Sequence, residues 1–507
     1  YNVDSPDEIE TSEAYLFSPG CQGSWVQLTH KNGINFETAS LPQLRSQIFN
    51  PQDKNYIRGF NEDTLIKDIP IDDILTLVAA TPTSLFVSSH LLTLVRKTFT
   101  HLCKKAVTTK TELAFRLLYI GPMLIMQSKS NESSAERSTR MRATCGKLLS
   151  EDPHNFSLKD IVMKSLRQQK TGRVSISDVH LRVVKYVQAG ELSQAMKALC
   201  ASTLVSQPSM EKLKVLRESF FPKNTEAFSD AAREEIYTPI PLPAADMISV
   251  DVKEVTAAIK KLNPRKAAGV DGVRAEFLKS LLLGGKGDED GKTSFIEVYT
   301  EYIRMFLHGD LPVVGHKMLN LVRLCGIPKG DEGDVRAIMM SPVHEKVAFT
   351  VHNISSKKKK FDRAHFGVHQ YGSQKNGTES IIHATRLGLE AHPDWDLFVA
   401  DAFKAFSLAA NDIFMSEVKQ YYPAMHKCLS NKYKEVRSAG YYGLSRGIEK
   451  THQVEGTTAG GGECSWVYEM GVHPFIHKLV EIMGEEDLSK FLIDDGTFGA
   501  HFDTLCW

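Results

Sequence analysis

The rhythm of apolar positions changes twice along this chain, and the changes predict its organisation. Over residues 1–72 polar and aromatic residues mix without a sustained period, and no function is assigned to them. From 73 to 240 the spacing is helical: Leu192, Ala195, Met196 and Leu199 recur at helix intervals after Gly190, as do Leu213, Leu216 and Phe220. Pro239, Pro241 and Pro243 then punctuate the chain and mark a boundary. In the stretch SVDVKEVTAAIKKLNP, Val252, Val255, Ile259 and Leu262 fall on one helix face. Asp251 stands where an N-cap belongs, Glu254 occupies the capping-box position, and Pro264 closes the segment. From about residue 320 short apolar runs mix with helical spacing, which predicts an α+β region.

Two of those runs end in carboxylate. Leu397-Phe398-Val399-Ala400 leads into Asp401, and Phe491-Leu492-Ile493 leads into Asp494 and Asp495. Runs of this length read as buried strands. If the two strands are neighbours, their carboxylates meet at one rim of a sheet and repel unless cations lie between them. Hard oxygen ligands suit Mg²⁺. Two such ions can activate an attacking hydroxyl and steady a departing pyrophosphate. Each Asp taken alone reads more simply as a turn residue or a helix N-cap.

Between the two runs lies the glycine-rich EGTTAGGGE, residues 455–463, ahead of a helical pattern at Trp466, Met470, Pro474 and Phe475. Gly460, Gly461 and Gly462 allow backbone to approach a ligand closely. The loop lacks the Lys-Ser/Thr of a phosphate-binding Walker loop, which excludes that class of nucleotidase; its plainer reading is a flexible connector.

Composition narrows the class without choosing a function. Hydrophobic residues make up 42% and charged residues 24%, as in an ordinary folded protein. Lys+Arg and Asp+Glu both number 61, so net charge does not point to nucleic acid. Local charge does more: between Val343 and Arg386 there are eight basic residues against three acidic ones, including Lys357, Lys358, Lys359, Lys360 and Arg363. That excess fits a phosphate track, and a lysine run of this kind also fits a solvated loop. The eight cysteines show no zinc-type spacing and read as reduced thiols of an intracellular protein. The most apolar window, Leu117 to Met126, is interrupted by Gly121-Pro122 and is too short to span a bilayer.

Taken in order, six stretches resemble the fingers and palm of a reverse transcriptase of the kind encoded by non-LTR retrotransposons. KKLNPRKAAGVDGVRAEFLK (260–279) resembles the opening fingers motif, and LVRLCGIPKGDEGDVRAIMMSPVHEK (321–346) the fingers hairpin. FGVHQYGSQKNGTESIIHATR (366–386) resembles the segment before the first palm strand. DAFKAF (401–406), GTTAGGGECSWVYEMGVHP (456–474) and IDDG (493–496) resemble the three catalytic palm motifs. GELSQAMKAL (190–199) is similar to the region preceding this domain in such elements.

The resemblance implies an α+β right-hand polymerase preceded by a mainly helical region. Fingers would span 246–390 and palm 391–507, the chain ending before a thumb as a fragment would. It implies an RNA template, a DNA primer and deoxynucleoside triphosphates as partners, two Mg²⁺ ions with Mn²⁺ as a substitute, no membrane, and a nuclear location. Asp401, Asp494 and Asp495 would be the catalytic metal ligands. Lys329 and Arg336 would grip the triphosphate, Phe406 would exclude a 2′-hydroxyl, and Ala459 and Gly460 would lie against the nucleotide. Lys357, Lys358, Lys359, Lys360 and Arg363 would follow the nucleic-acid backbone.

The chain departs from the family pattern at three places. Ala459 stands where most relatives carry Gln, with Gly461-Gly462 for Asp-Pro. Leu492 replaces an aromatic residue, and Ala337 replaces Pro after Arg336. None of these removes a metal ligand. Two other readings remain: a decayed or co-opted retroelement remnant that binds RNA or protein, and an intron-encoded reverse transcriptase that assists splicing.

Overall fold

The computed structural model describes residues 13–17, 25–29, 64–74, 87, 89–127, 132–150, 157, 183–184, 187, 209–220, 229–264, 266, 268–283, 294–328, 335–367, 369–444, 447–484 and 487–505. The helical pattern at 190–199, Lys329, and the stretch GGKGDEDGK at 284–292, whose glycines and charges read as a loop insertion, therefore lie outside the described residues.

A hairpin of β1 (Glu13–Phe17) and β2 (Trp25–Thr29) comes first. Helices α1 (Leu92–Thr109), α2 (Glu112–Met126), α3 (Ser134–Leu149), α4 (Met210–Phe220) and α5 (Asp230–Tyr237) follow. Next are α6 (Val252–Lys261), α7 (Ala275–Leu282), α8 (Phe295–Leu307) and α9 (Val313–Leu319), then the hairpin β3 (Val322–Pro328) and β4 (Val335–Met340). After it run α10 (Val343–Ile354), α11 (Ser356–His365), α12 (Gly377–Ala391), β5 (Asp396–Asp401), α13 (Ala405–Leu408), α14 (Asn411–Tyr421) and α15 (Pro423–Tyr433). The chain continues through β6 (Arg437–Leu444), β7 (Gly447–Gln453), α16 (Cys464–Met483), β8 (Leu488–Leu492), β9 (Asp495–Ala500) and α17 (Phe502–Leu505). This is a mixed α+β chain; among the described residues helices dominate the first half and strands are concentrated after residue 321.

Local chemistry explains the helix ends. At α6 the Asp251 carboxylate accepts from Glu254 N at 2.8 Å, and the Glu254 side chain accepts from Asp251 N at 3.3 Å, which forms the expected capping box. Val255 and Ile259 face the core as predicted, whereas Val252 is exposed at the helix start. The Gly121-Pro122 pair does not end α2. The helix runs through Pro122 because nearly its whole length is buried among apolar neighbours, and tertiary packing outweighs the local penalty.

One apolar core reaches from Ile66 through α1–α3 to α6–α10 and on to Met470 in α16. The proline-marked boundary near 240 is thus a turn in the path and does not divide two cores. Asp271 ties its centre together: this buried carboxylate accepts from Val273 N at 3.1 Å and from Val343 N at 2.7 Å, at the start of α10. Burial pushes its carboxyl up to about 7. Gly269 lies so close to the Ser341 carbonyl that any side chain there would collide with it.

Two sheets carry the second half. One has the order β4-β3-β6-β7, with β3 antiparallel to β4 and parallel to β6. The other is antiparallel, in the order β5-β9-β8. Two expectations change here. The apolar run entering Asp401 is exposed, with Leu397 at 46%, Phe398 at 56% and Val399 at 63% accessible, because β5 is an edge strand while α12 packs over β8 and β9. The two apolar runs are also not neighbours, since β9 lies between them.

Candidate active site

The three aspartates meet at one end of the β5-β9-β8 sheet. Asp401 closes β5 and pairs directly with Asp495, the first residue of β9. Opposed residues of an antiparallel pair project on the same face, so the two carboxylates are cross-strand neighbours. Asp494 sits in the two-residue turn between Leu492 and Asp495, which are themselves paired. The run that ends in Asp494 therefore stops one residue early: Ile493 is a turn residue with φ +60°, a left-handed conformation that a β-branched side chain rarely adopts. The Ala402 amide donates to the Asp494 carbonyl at 3.0 Å and fastens that turn to the end of β5.

The turn is braced from the other side as well. Tyr371 N donates to Phe491 O, and Phe491 N to His369 O, each at 2.7 Å, so the 369–371 segment lies beside β8. Glu469 on α16 holds that segment: its buried carboxylate accepts from Ser373 N at 2.9 Å and from the Ser373 hydroxyl. Burial pushes Glu469 up to about 7. Sequence reading missed it because a lone Glu inside a helix looks like a solvated residue.

Electrostatics joins the group. Partial burial, then Asp494 and Asp401, raise the Asp495 carboxyl above its ordinary range. Tyr468 on α16 is pushed up to about 12 by burial, then by Asp494 and Asp401, which places its hydroxyl in the field of both aspartates. The Phe406 ring meets Tyr468 edge-on, with centroids 5.4 Å apart. Phe406 is only partly buried, against the apolar cluster formed by α4, β3, β4 and β6. Nothing in the local sequence singled out Tyr468.

The glycine-rich loop is strapped to this group and to the β3–β4 hairpin at once. Thr457 N donates to Phe406 O at 2.6 Å, and Met339 N on β4 donates to Ala459 O at 2.7 Å. Ala459 is buried in the cluster with Ala337 and Met339, while Gly460 is exposed at φ +104°. A side chain on Gly460 would meet both that φ and the Met339 carbonyl. The end of the loop is anchored by a buried ionic group in which Lys432 bridges Glu345 at 2.5 Å and Glu463 at 2.8 Å, and Tyr433 donates to Glu463 at 3.0 Å. Buried Arg437 donates to Thr458 Oγ1 at 3.0 Å and to the Gly456 carbonyl. These contacts make the loop a held element, not a free connector.

The cations divide. Arg336 is exposed on β4, opposite Ile327 in the hairpin. Lys357 to Lys360 lie on helix α11, where a solvated loop was the alternative. Lys358 is buried, 2.5 Å from Asp362 and over the Trp466 ring, so it is not available to a phosphate. Lys357 is half-buried and donates to the Asp246 carbonyl. Lys359, Lys360 and Arg363 are exposed and are the cations of this run that a polyanion could reach.

Carboxylate oxygens are suitable ligands for Mg²⁺, yet among the described residues no three ligand-type side chains converge into a ready cage. Mg²⁺ does not require one, since it commonly binds through one or two carboxylates together with water and substrate phosphates. Asp401 and Asp495 are placed to serve in that way, with Asp494 one residue away. The chain matches no protein-family model and no curated protein.

Proposed function

We propose that the chain is the fingers and palm of an RNA-directed DNA polymerase from a retroelement, adding deoxynucleotides to a primer 3′-hydroxyl. The observation that carries this reading is the in-register pair of Asp401 and Asp495, with Asp494 in the adjoining turn. Three carboxylates crowded at an open rim cost electrostatic energy, and a role in holding cations accounts for that cost. The six ordered sequence stretches give the same reading.

On this reading the chain's own groups take the roles that the resemblance implies. Asp401, Asp494 and Asp495 hold Mg²⁺, which when bound lowers the pKa of the primer hydroxyl and stabilises charge on pyrophosphate. Arg336, on the open side of β4, forks two phosphate oxygens of the triphosphate. Phe406 lies against the sugar and leaves no space for a 2′-hydroxyl. The backbone at Gly460 provides a close surface for the base, and the Lys432 and Arg437 anchors hold it there. Lys359, Lys360 and Arg363 meet nucleic-acid phosphates, whose contacts position without reading sequence. Among the described residues no helix is long and apolar enough to cross a membrane.

RNA-templated primer extension by the full gene product tests the reading. Incorporation of deoxynucleotides that requires template, primer and Mg²⁺ supports it. Firm binding of primer–template without extension instead assigns the chain to the remnant class, for which the buried Ala459 in place of Gln is the motivating departure.

A further inference from the structure

Away from the aspartates, four histidines gather where α11, α16 and β8 meet. His365 ends α11 and His369 follows four residues later; His473 and His477 are four apart on α16. Ring centroids of His365 and His473 are 4.0 Å apart, and those of His473 and His477 are 4.3 Å apart. His369 lies close enough to contribute to the depression of His473.

Hydrogen bonding decides which ring nitrogens are free. Gln370 donates its amide NH₂ to the Glu469 carbonyl at 2.9 Å, so its oxygen faces His473 Nδ1 at 2.5 Å. That nitrogen must carry the proton, which leaves Nε2 a bare lone pair. His369 repeats the arrangement: its Nδ1 faces the Ser489 carbonyl at 3.0 Å, and a carbonyl only accepts. His365 Nε2 is buried with no hydrogen-bond partner. Burial, then the neighbouring imidazoles, pushes His473 down to about 3, and burial and His477 push His365 down to about 4. Both rings are therefore neutral near pH 7, the form that ligates metals.

An imidazole whose Nδ1–H is tied to an oxygen and whose Nε2 is bare is the arrangement found at metal-ligating histidines. We infer that His365, His473 and His477, with His369 as a fourth donor, form a binding site for a transition metal ion of the Zn²⁺ type. Imidazole nitrogen suits zinc and its neighbours and does not suit Mg²⁺, so this site is chemically separate from the aspartates. The donors do not already surround one point. Binding turns the side chains, and His477 is exposed and free to turn. The ion would fasten α11 to α16. Through His369 and Ser489 it would also fasten both helices to β8, the strand that carries the Asp494 turn. That is a structural brace, and its existence does not depend on the polymerase reading.

The competing account is an aromatic seam, since His365 also packs on Phe361 and Tyr421, with centroids 4.7 Å away in each case. Titrating chelator-treated protein with Co²⁺ and then Zn²⁺ separates the two accounts. We expect one equivalent of Co²⁺ to bind with a visible ligand-field band, Zn²⁺ to displace it, and the thermal midpoint to rise with occupancy. His477→Gln, at an exposed position, and His365→Phe, which keeps a ring against Phe361 and Tyr421, should each weaken binding about tenfold or more. His383→Gln, on α12, should change nothing. Absence of the band and of the thermal shift overturns the inference. So does binding that survives both His477→Gln and His365→Phe.

Discussion

Asp401 and Asp495 stand directly opposite each other in the antiparallel pairing of β5 and β9, two like charges where a sheet ordinarily places complementary ones. Their repulsion is offset when a cation lies between them, so the pair should be least stable in metal-free buffer. Asp495→Asn should raise stability by about 0.5 kcal/mol without Mg²⁺ by relieving the cross-strand repulsion. It should also reduce the stabilisation that wild type gains on adding Mg²⁺. Urea denaturation with and without the ion measures both effects, and a variant less stable than wild type in chelator would refute the repulsion argument.

Phe406 is only partly buried, between Tyr468 and the apolar cluster of α4, β3, β4 and β6. Phe406→Ala should cost about 1–2 kcal/mol of stability, less than the loss of a fully buried ring. In an extension assay it should leave deoxynucleotide use largely intact and raise ribonucleotide incorporation. A wild-type enzyme already indifferent to the 2′-hydroxyl would show that the ring only packs.

The basic run should behave as two sets. Replacing Lys359, Lys360 and Arg363 with Gln should weaken RNA binding for all sequences alike and reduce the slope of log affinity against log salt by about 2. Lys358→Gln should leave that slope unchanged and destabilise the fold by about 3 kcal/mol, because it strands the buried Asp362 carboxylate. Salt-dependent binding and denaturation curves on the two variants check the division. Equal salt slopes for wild type and the triple variant would show that the exposed cations do not meet nucleic acid.

How much of this could be read beforehand depended on whether the causes were local. The capping box of α6 lies within four residues and was fully legible. The grouping of Asp401 with Asp494 and Asp495 was legible as two strand-like runs ending in acid. The sheet order was not, because β9 inserts between those runs through pairing that no single run encodes. Ile493 read as a continuing strand because β-branched residues favour strands, and only the paired Leu492 and Asp495 reveal the turn. Lys358 looked like one of four equivalent lysines; its burial depends on Trp466, 108 positions later in the chain. Tyr468 and Glu469 acquire meaning only once α16 is seen lying under the aspartate turn.

Glu469 gives a pH dependence with a definite sign. Its folded carboxyl is raised from 4.5 to about 7, so the folded state holds the proton more tightly than the unfolded chain does. This contribution is fully present below about pH 4.5 and is lost as pH rises toward 7, a change on the order of 3 kcal/mol for one such group. Glu469→Gln should flatten the stability profile over that interval, with buried Asp271 contributing the slope that remains. A wild-type stability that falls between pH 4.5 and 7 no more steeply than the variant's would rule out the buried neutral carboxyl.

The central claim is that the aspartates at the sheet rim act on the chemical step and not on binding. Single-turnover extension of a DNA primer on an RNA template, measured at saturating primer–template, tests this most directly. Asp401→Asn and Asp494→Asn should each slow deoxynucleotide addition by about a thousandfold or more, equivalent to several kcal/mol of transition-state stabilisation, while primer–template affinity stays within a few-fold of wild type. Either variant extending primer at the wild-type rate would contradict the account.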